Sequence, residues 1–195
     1  MNNRLYVLKV SLVGIEPEIW RRFVVPADIP LDHLHDIIQI VMGWEDRHLH
    51  MFTIGGKSYT EAPEELEEGK KERRFRLGNL VKRKGTTFDY LYDFGDSWLH
   101  HVTLENANYI IGPRDEPVMF LAGEGACPPE DVGSVPGYFE FCKAMKDPKH
   151  PDHKQYSEWY GKAFNPREFD WQKISLELLK YIRWSRPRLT MWPII

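Results

Sequence analysis

The chain has 195 residues, with 26 Lys plus Arg against 29 Asp plus Glu, 42% hydrophobic and 13% aromatic residues, and two Cys. A chain of this length buries roughly 70% of its unfolded surface, and its apolar and charged fractions exclude a disordered or fibrous protein. No apolar run approaches the roughly 20 residues that cross a bilayer, two cysteines make no disulfide framework, and a net charge of -3 argues against coating nucleic acid through bulk charge.

From Leu5 to Val13, Tyr6, Leu8, Val10 and Leu12 alternate, and Ile19 to Val25 follows the turn-like Gly14-Ile15-Glu16-Pro17. This spacing predicts a β-hairpin. Leu31, Leu34, Ile37, Ile38 and Val41 recur at helical spacing between Pro30, at the start, and Gly43, just past the end. Both residues are end signals of an amphipathic helix. A third strand is expected from about His48 to Ile54, followed by an exposed charged excursion over 61–76. Strands Phe88–Phe94 and Trp98–Glu105 should then pair through a tight turn at Gly95-Asp96. Residues 112–136, rich in Pro, Gly and acids, read as a long ordered loop. The last third is helical, over Tyr138–Met145, around Tyr156–Tyr160, and over Trp171–Ile182 with Asp170 as N-cap.

Together these elements predict an α+β fold, a single mostly antiparallel sheet with an N-terminal β-β-α-β (β-grasp-like) unit and C-terminal helices. One domain over 1–195 is expected, with 183–195 as a C-terminal tail. Residues 85–142 carry ten acidic groups and one basic group, Arg114, whereas 143–195 carry eleven basic and six acidic groups. An acidic block beside a basic one suits a cation or a basic partner, although solvated acidic loops give the same pattern.

The eight histidines fall in four close pairs, among them His48 with His50 and His100 with His101. Residues two apart on a strand share a face, so His48 and His50 form half of a metal site if the Asp93-Phe94-Gly95-Asp96 turn or His100 supplies the rest. The alternative is that the histidines pack among aromatics with their nitrogens hydrogen-bonded. Asp93 and Asp96 likewise suit either turn chemistry or a carboxylate pair. Cys127 lies in Gly-Glu-Gly-Ala-Cys-Pro-Pro-Glu-Asp, where Glu130 and Asp131 disfavour a nucleophilic thiolate, and Cys142 sits at a helical core position. Walker A, GxGxxG and GxSxG sequences are absent. The tail holds Arg183, Trp184, Arg186, Arg188 and Trp192, which could stack on nucleic acid or pack on the domain or a second subunit.

The stretches Gly14-Ile15-Glu16-Pro17-Glu18-Ile19-Trp20-Arg21-Arg22, Leu34-His35 to Met42-Gly43-Trp44-Glu45, His48-Leu49-His50, Tyr92-Asp93-Phe94-Gly95-Asp96-Ser97-Trp98 and Ala126-Cys127-Pro128-Pro129-Glu130-Asp131 together resemble the plasmid pRiA4b ORF-3-like family. The resemblance runs from about Tyr6 to Leu179. It implies bacterial and archaeal relatives without an established activity, some linked to plasmids or to a transposable element and labelled resolvase-like. Members commonly carry a second loop cysteine, in a pattern like Cys-Pro-Pro-Glu-Asp-Cys-Gly-Gly; here Val132-Gly133-Ser134 stands instead, which removes support for a redox or thiolate-metal role. No serine among Ser11, Ser58 and Ser97 has the arginine surroundings of a serine recombinase.

The expectation is a cytoplasmic binding or accessory module, associated with mobile elements, with no membrane partner. Its ligand surface is expected to combine His48, His50, Asp93, Asp96, His100, Cys127, Glu130 and Asp131, with His48, His50 and His100 as divalent-metal ligands. A metal-assisted hydrolase using the same residues is the alternative. A nucleic-acid accessory protein acting through the tail, which could also support a homo-oligomer, is a second alternative.

Overall fold

The computed structural model describes residues 4–65, 69–113 and 115–185. Arg114 and the tail beyond residue 185, with the nucleic-acid or subunit contact expected of it, lie outside the described residues. Strand β1 (Leu5–Leu12) and strand β2 (Trp20–Pro26) form the expected hairpin in the register Leu5↔Pro26 to Ser11↔Trp20. Helix α1 (Leu31–Met42) follows Pro30 and ends where Gly43 enters the left-handed region at φ 105°, its N–H bonded to Gln39 O at 2.9 Å. Strands β3 (His50–Ile54), β4 (Lys57–Thr60) and β5 (Lys70–Lys71) come next, then the single-turn α2 (Leu77–Leu80). Strands β6 (Thr87–Tyr92), β7 (Trp98–Tyr109) and β8 (Met119–Glu124) precede helices α3 (Ser134–Lys146), α4 (His153–Tyr160) and α5 (Trp171–Ser185).

The eight strands make one sheet in the order β5-β4-β3-β6-β7-β1-β2-β8, antiparallel except for the β4–β5 pair. Residues that alternate along the strands meet α1 on one face. Leu8 and Val10 of β1, Phe23 of β2, Phe52 of β3, Tyr90 of β6 and Val102 of β7 form one core with Leu34, Ile37, Ile38 and Val41. All of these side chains are fully buried. A smaller cluster of Leu5, Val7 and Val24 lies apart from it, covered by Tyr109, Ile111 and Met119. Trp98 is also fully buried, packed at 5.5 Å from Trp44. Helix α5 starts as its sequence indicates, with Asp170 Oδ1 accepting from the Lys173 N–H at 2.8 Å.

Three expectations are corrected. The third strand begins at His50, not His48, because the 44–49 segment is held in a loop in which Arg47 N–H donates to the Tyr92 hydroxyl. The region 112–136 is not all loop. Strand β8 forms there because β2 has a free edge, and Gly123 lets it lie close, since a Cβ there would sit 2.7 Å from both Arg21 Cδ and Trp20 O. The 61–76 excursion is not exposed throughout: Glu72 is buried, Phe75 packs on the core, and Leu77 follows into it.

Arg21 is the largest buried charged residue. Its Nε donates to Val41 O at 2.8 Å, Nη1 to Trp20 O at 2.8 Å and Glu124 O at 2.7 Å, and Nη2 to Gly125 O at 2.8 Å. The guanidinium also lies 4.1 Å from the Phe169 ring centroid. Burial lowers its pKa to about 10, so it remains a cation at neutral pH. Arg21→Met keeps much of the volume but removes all four hydrogen bonds, and each buried carbonyl left unpaired costs about 1–3 kcal/mol. We expect a loss of at least about 3 kcal/mol in urea unfolding, with no rescue by Lys, whose single ammonium cannot span the same oxygens. A loss below about 1 kcal/mol would refute the stapling role.

Candidate functional site

Three chain segments meet at one end of the sheet. The first is the 44–49 loop after α1, anchored by the buried Trp44 ring between Tyr92 at 5.2 Å and Trp98 at 5.5 Å. The second is the 93–97 turn between β6 and β7. Asp93 sits there at φ 56°, its N–H bonded to Leu49 O at 3.0 Å and its Oδ1 accepting from Gly95 N–H at 2.9 Å and Asp96 N–H at 3.3 Å. The third is the loop after β8, where Asp131 is at φ 58°. Asp46 in the first segment is left-handed too, at φ 53°; aspartate adopts this conformation more readily than most residues, and residues held in it concentrate at functional sites.

These segments bring His48, Asp93, Glu130 and Asp131 together. His48 Nε2 lies 3.2 Å from Asp131 Oδ1, 3.7 Å from Asp93 Oδ2 and 3.7 Å from Glu130 Oε2. One ligand atom each from His48, Asp93 and Asp131 falls within 4.8 Å of the others. Ligand atoms around a tetrahedral zinc at about 2.0–2.2 Å are separated by about 3.3–3.6 Å, so the observed spacings are close to those of a metal-ligand set. Glu130 Oε1 is fixed by the Glu45 N–H at 2.7 Å and the Tyr92 hydroxyl at 2.9 Å, whereas its Oε2 has no hydrogen-bond partner and is buried in a side chain only 7% exposed. Burial raises the Glu130 pKa, and burial raises that of Tyr92 as well. His48 Nε2 is the second buried atom here without a hydrogen bond.

The other candidates stand elsewhere. Asp96 Oδ2 accepts from Gly133 N–H at 3.0 Å and so ties the turn to the third loop. His50 does not share His48's surroundings. Its ring stacks on His35, centroids 3.5 Å apart and planes at 7°, and its Nε2 meets Glu72 Oε2 at 2.8 Å. His100 is fully buried, with Trp44 Nε1 donating to its Nε2 at 3.2 Å and its Nδ1 3.2 Å from Tyr90 O. With one lone pair taken by Trp44 and the other nitrogen donating to a carbonyl, it offers a metal nothing. Of the expected ligands His48, His50 and His100, only His48 lies beside Asp93 and Asp131. Cys127 packs on the core, and burial raises its thiol pKa far above the ordinary range, the neighbouring Arg21 cation notwithstanding.

Sequence reasoning missed the polar network under this surface. Gln39 Nε2 donates to the Tyr90 hydroxyl at 2.8 Å, Tyr90 bonds His35 Nδ1 at 2.8 Å, His35 Nε2 bonds Asp46 Oδ1 at 2.9 Å, and Asp46 N–H returns to Gln39 Oε1 at 2.9 Å. The ring closes without an unpaired member. Its one sequence signal is that His35 and Gln39 lie four apart on the buried side of α1.

His100 yields a pH prediction. Burial lowers its pKa from 6.5 to about 4, so the unfolded chain binds more protons between those values and stability falls as pH drops through that window. We expect the His100 ring resonances to stay flat from pH 8 to 5 by NMR, and unfolding free energy to fall by about 2–3 kcal/mol between pH 7 and 4.5 from this residue. A ring titrating near 6.5 would refute the buried neutral assignment.

The fold and site together define an α+β protein with one eight-stranded, mostly antiparallel sheet and a histidine–carboxylate cluster at one end. Residues 4–173 match the family described as plasmid pRiA4b ORF-3-like protein, and the chain belongs to that family. It is 42% identical over 158 residues, 80% of each chain, to uncharacterized protein y4hQ of Sinorhizobium fredii (strain NBRC 101917 / NGR234). It also resembles the crystal structure of the protein of unknown function MM3350 from Methanosarcina mazei Go1, with a TM-score of 0.79 and 35% identity over 88% of this chain and 97% of the other. No helix among the described residues is long and apolar enough to cross a membrane.

Proposed function

We propose that this protein is a cytoplasmic divalent-cation-binding module, with His48 Nε2, Asp93 Oδ2 and Asp131 Oδ1 as ligands. The single observation that carries this reading is the meeting of the buried, unpartnered Glu130 Oε2 and the unpartnered His48 Nε2 with two further carboxylates. Apposed carboxylates repel and buried unpaired atoms are costly, so a cation is the group that relieves both. One imidazole with carboxylate oxygens suits zinc or manganese better than a soft, thiolate-seeking ion. A link to mobile elements rests on the family's plasmid-derived name alone.

The test is calorimetric titration of chelator-treated protein with Zn²⁺ and Mn²⁺, where one ion per chain is expected. His48→Ala and Asp93→Asn should each weaken binding at least about tenfold. Asn at 93 keeps the Oδ1 that caps the turn, so its effect isolates the oxygen facing the ion. Asp96→Asn should leave affinity within about threefold. Saturable binding that ignores His48 and Asp93, or no binding at millimolar ion, would overturn the assignment.

A metal-assisted hydrolase is the second reading, favoured by the three-residue ligand set with Glu130 beside it. Three protein ligands leave a coordination position for water, which a bound ion would acidify. Glu130, held through Oε1, presents Oε2 where a base for that water would stand. On a panel of chromogenic carboxylate and phosphate esters, Glu130→Gln should cut metal-dependent turnover by about 10² or more while metal affinity stays within a few-fold. Turnover that survives this change would exclude Glu130 as the base.

A further inference from the structure

We propose that a second site, remote from the His48 cluster in its lining, takes a small organic anion: a carboxylate on an apolar body of medium acyl-chain size. A cleft of about 710 Å³ opens between the β1–β2 connection, α3 and the segment joining α4 to α5. Its volume lies within the roughly 300–1,000 Å³ of small-molecule sites. Ile15 and Ile19 from the connection and Tyr138 from α3 give a buried apolar wall, and Phe164 lines the cleft with them.

The walls are braced before any ligand arrives. Phe164 packs edge-on to Phe141 at 4.8 Å and to Tyr138 at 6.1 Å, and the Pro166 carbonyl accepts from Ala126 N–H at 2.9 Å. A preformed apolar wall spares the ordering cost that otherwise erodes affinity.

Charge selects the head group. Lys143, Lys146 and Arg167 line the cleft against one carboxylate, Glu16, in a chain whose net charge is -3. Lys143 is bonded to Glu140 at 2.6 Å, but both side chains are exposed, and such pairs hold weakly. Lys146 and Arg167 make no ion pair among the described residues. An acyl body therefore desolvates against Ile15, Ile19 and Phe164 while its carboxylate meets cations at the rim. A cationic amphiphile of the same length meets like charge there, and a neutral one gains only the apolar contact. The two lysines also complement the negative end of α3, which is the structural role the test must separate from recognition.

Titration of the full chain with decanoate, decanol and decylammonium, followed by calorimetry, makes that separation. Decanoate should bind saturably at one site, at least about tenfold more tightly than decylammonium, with decanol between them. The double variant Lys146→Gln/Arg167→Gln should weaken decanoate about three- to tenfold, the effect of two exposed charge contacts, and leave decanol unchanged. Phe139→Glu, an exposed position on the same lining, should weaken decanoate further without changing the thermal midpoint, whereas His48→Ala should leave decanoate binding intact. Equal affinity for the three amphiphiles, an unchanged double variant, no binding at millimolar decanoate, or loss of binding in His48→Ala would overturn the proposal.

Discussion

The buried guanidinium of Arg21 ties helix α1, which no ladder joins to the sheet, to the paired strands β2 and β8. From β2 it reaches the last turn of α1 through Val41 O and the end of β8 through Glu124 O and Gly125 O. No carboxylate pairs with it among the described residues, so its charge is balanced by carbonyl dipoles, by the negative end of α1 and by the Phe169 ring. A cation held this way cannot shift without leaving several buried oxygens unpaired, which makes the position of each partner depend on the others. The loop that leaves α1 carries Glu45 and His48, and the loop that leaves β8 carries Glu130 and Asp131. Stapling the starting points of both loops to one residue is what lets Glu45 N–H reach Glu130 and His48 face Asp131.

Two polar centres lie side by side beyond this staple and differ in how their groups are satisfied. The ring of Gln39, Tyr90, His35 and Asp46 is internally closed, and with His50 and Glu72 attached by stacking and hydrogen bonding it fixes α1 to β3 and β6. The four-residue ring is fully paired and leaves little to offer a ligand, although the attached His50 keeps its Nδ1 without a hydrogen bond. The His48 cluster is the reverse case. Its backbone and outer oxygens are bonded, and the atoms that remain unpaired converge on one point. Tyr92 separates the two centres: its ring packs against Trp44, and its hydroxyl both accepts from Arg47 N–H and donates to Glu130.

Much of the fold is readable from residue order, because it depends on local periodicity and end signals. Alternation at Tyr6, Leu8, Val10 and Leu12 marks an interior strand, the spacing of Leu31 to Val41 between Pro30 and Gly43 marks α1, and Asp170 marks the start of α5. The aspartates around Gly95 and the loop acids at 130 and 131 are legible as site candidates for the same reason, since turn chemistry and charge are local. The strand β8 is not, since its Gly and acidic composition reads as loop and only the unpaired edge of β2 recruits it. Glu72 reads as exposed because charge is normally solvated, and only the apposition of His50 explains its burial.

The histidines mark the boundary between the two kinds of information. His48, His50 and His100 are alike in type and in aromatic surroundings along the chain, and the sequence by itself determines that imidazoles and carboxylates gather around β3 and the β6–β7 turn. Which imidazole keeps a usable lone pair is decided by what lies across from it in space. Glu72 and His35 engage His50, Trp44 and the Tyr90 carbonyl engage His100, and His48 faces Asp93, Glu130 and Asp131. Those partners come from elements up to 83 positions away in the chain, as with Asp131 and His48. No periodicity encodes such a pairing, because it is set by packing of the sheet, α1 and the loop after β8 rather than by neighbours in sequence.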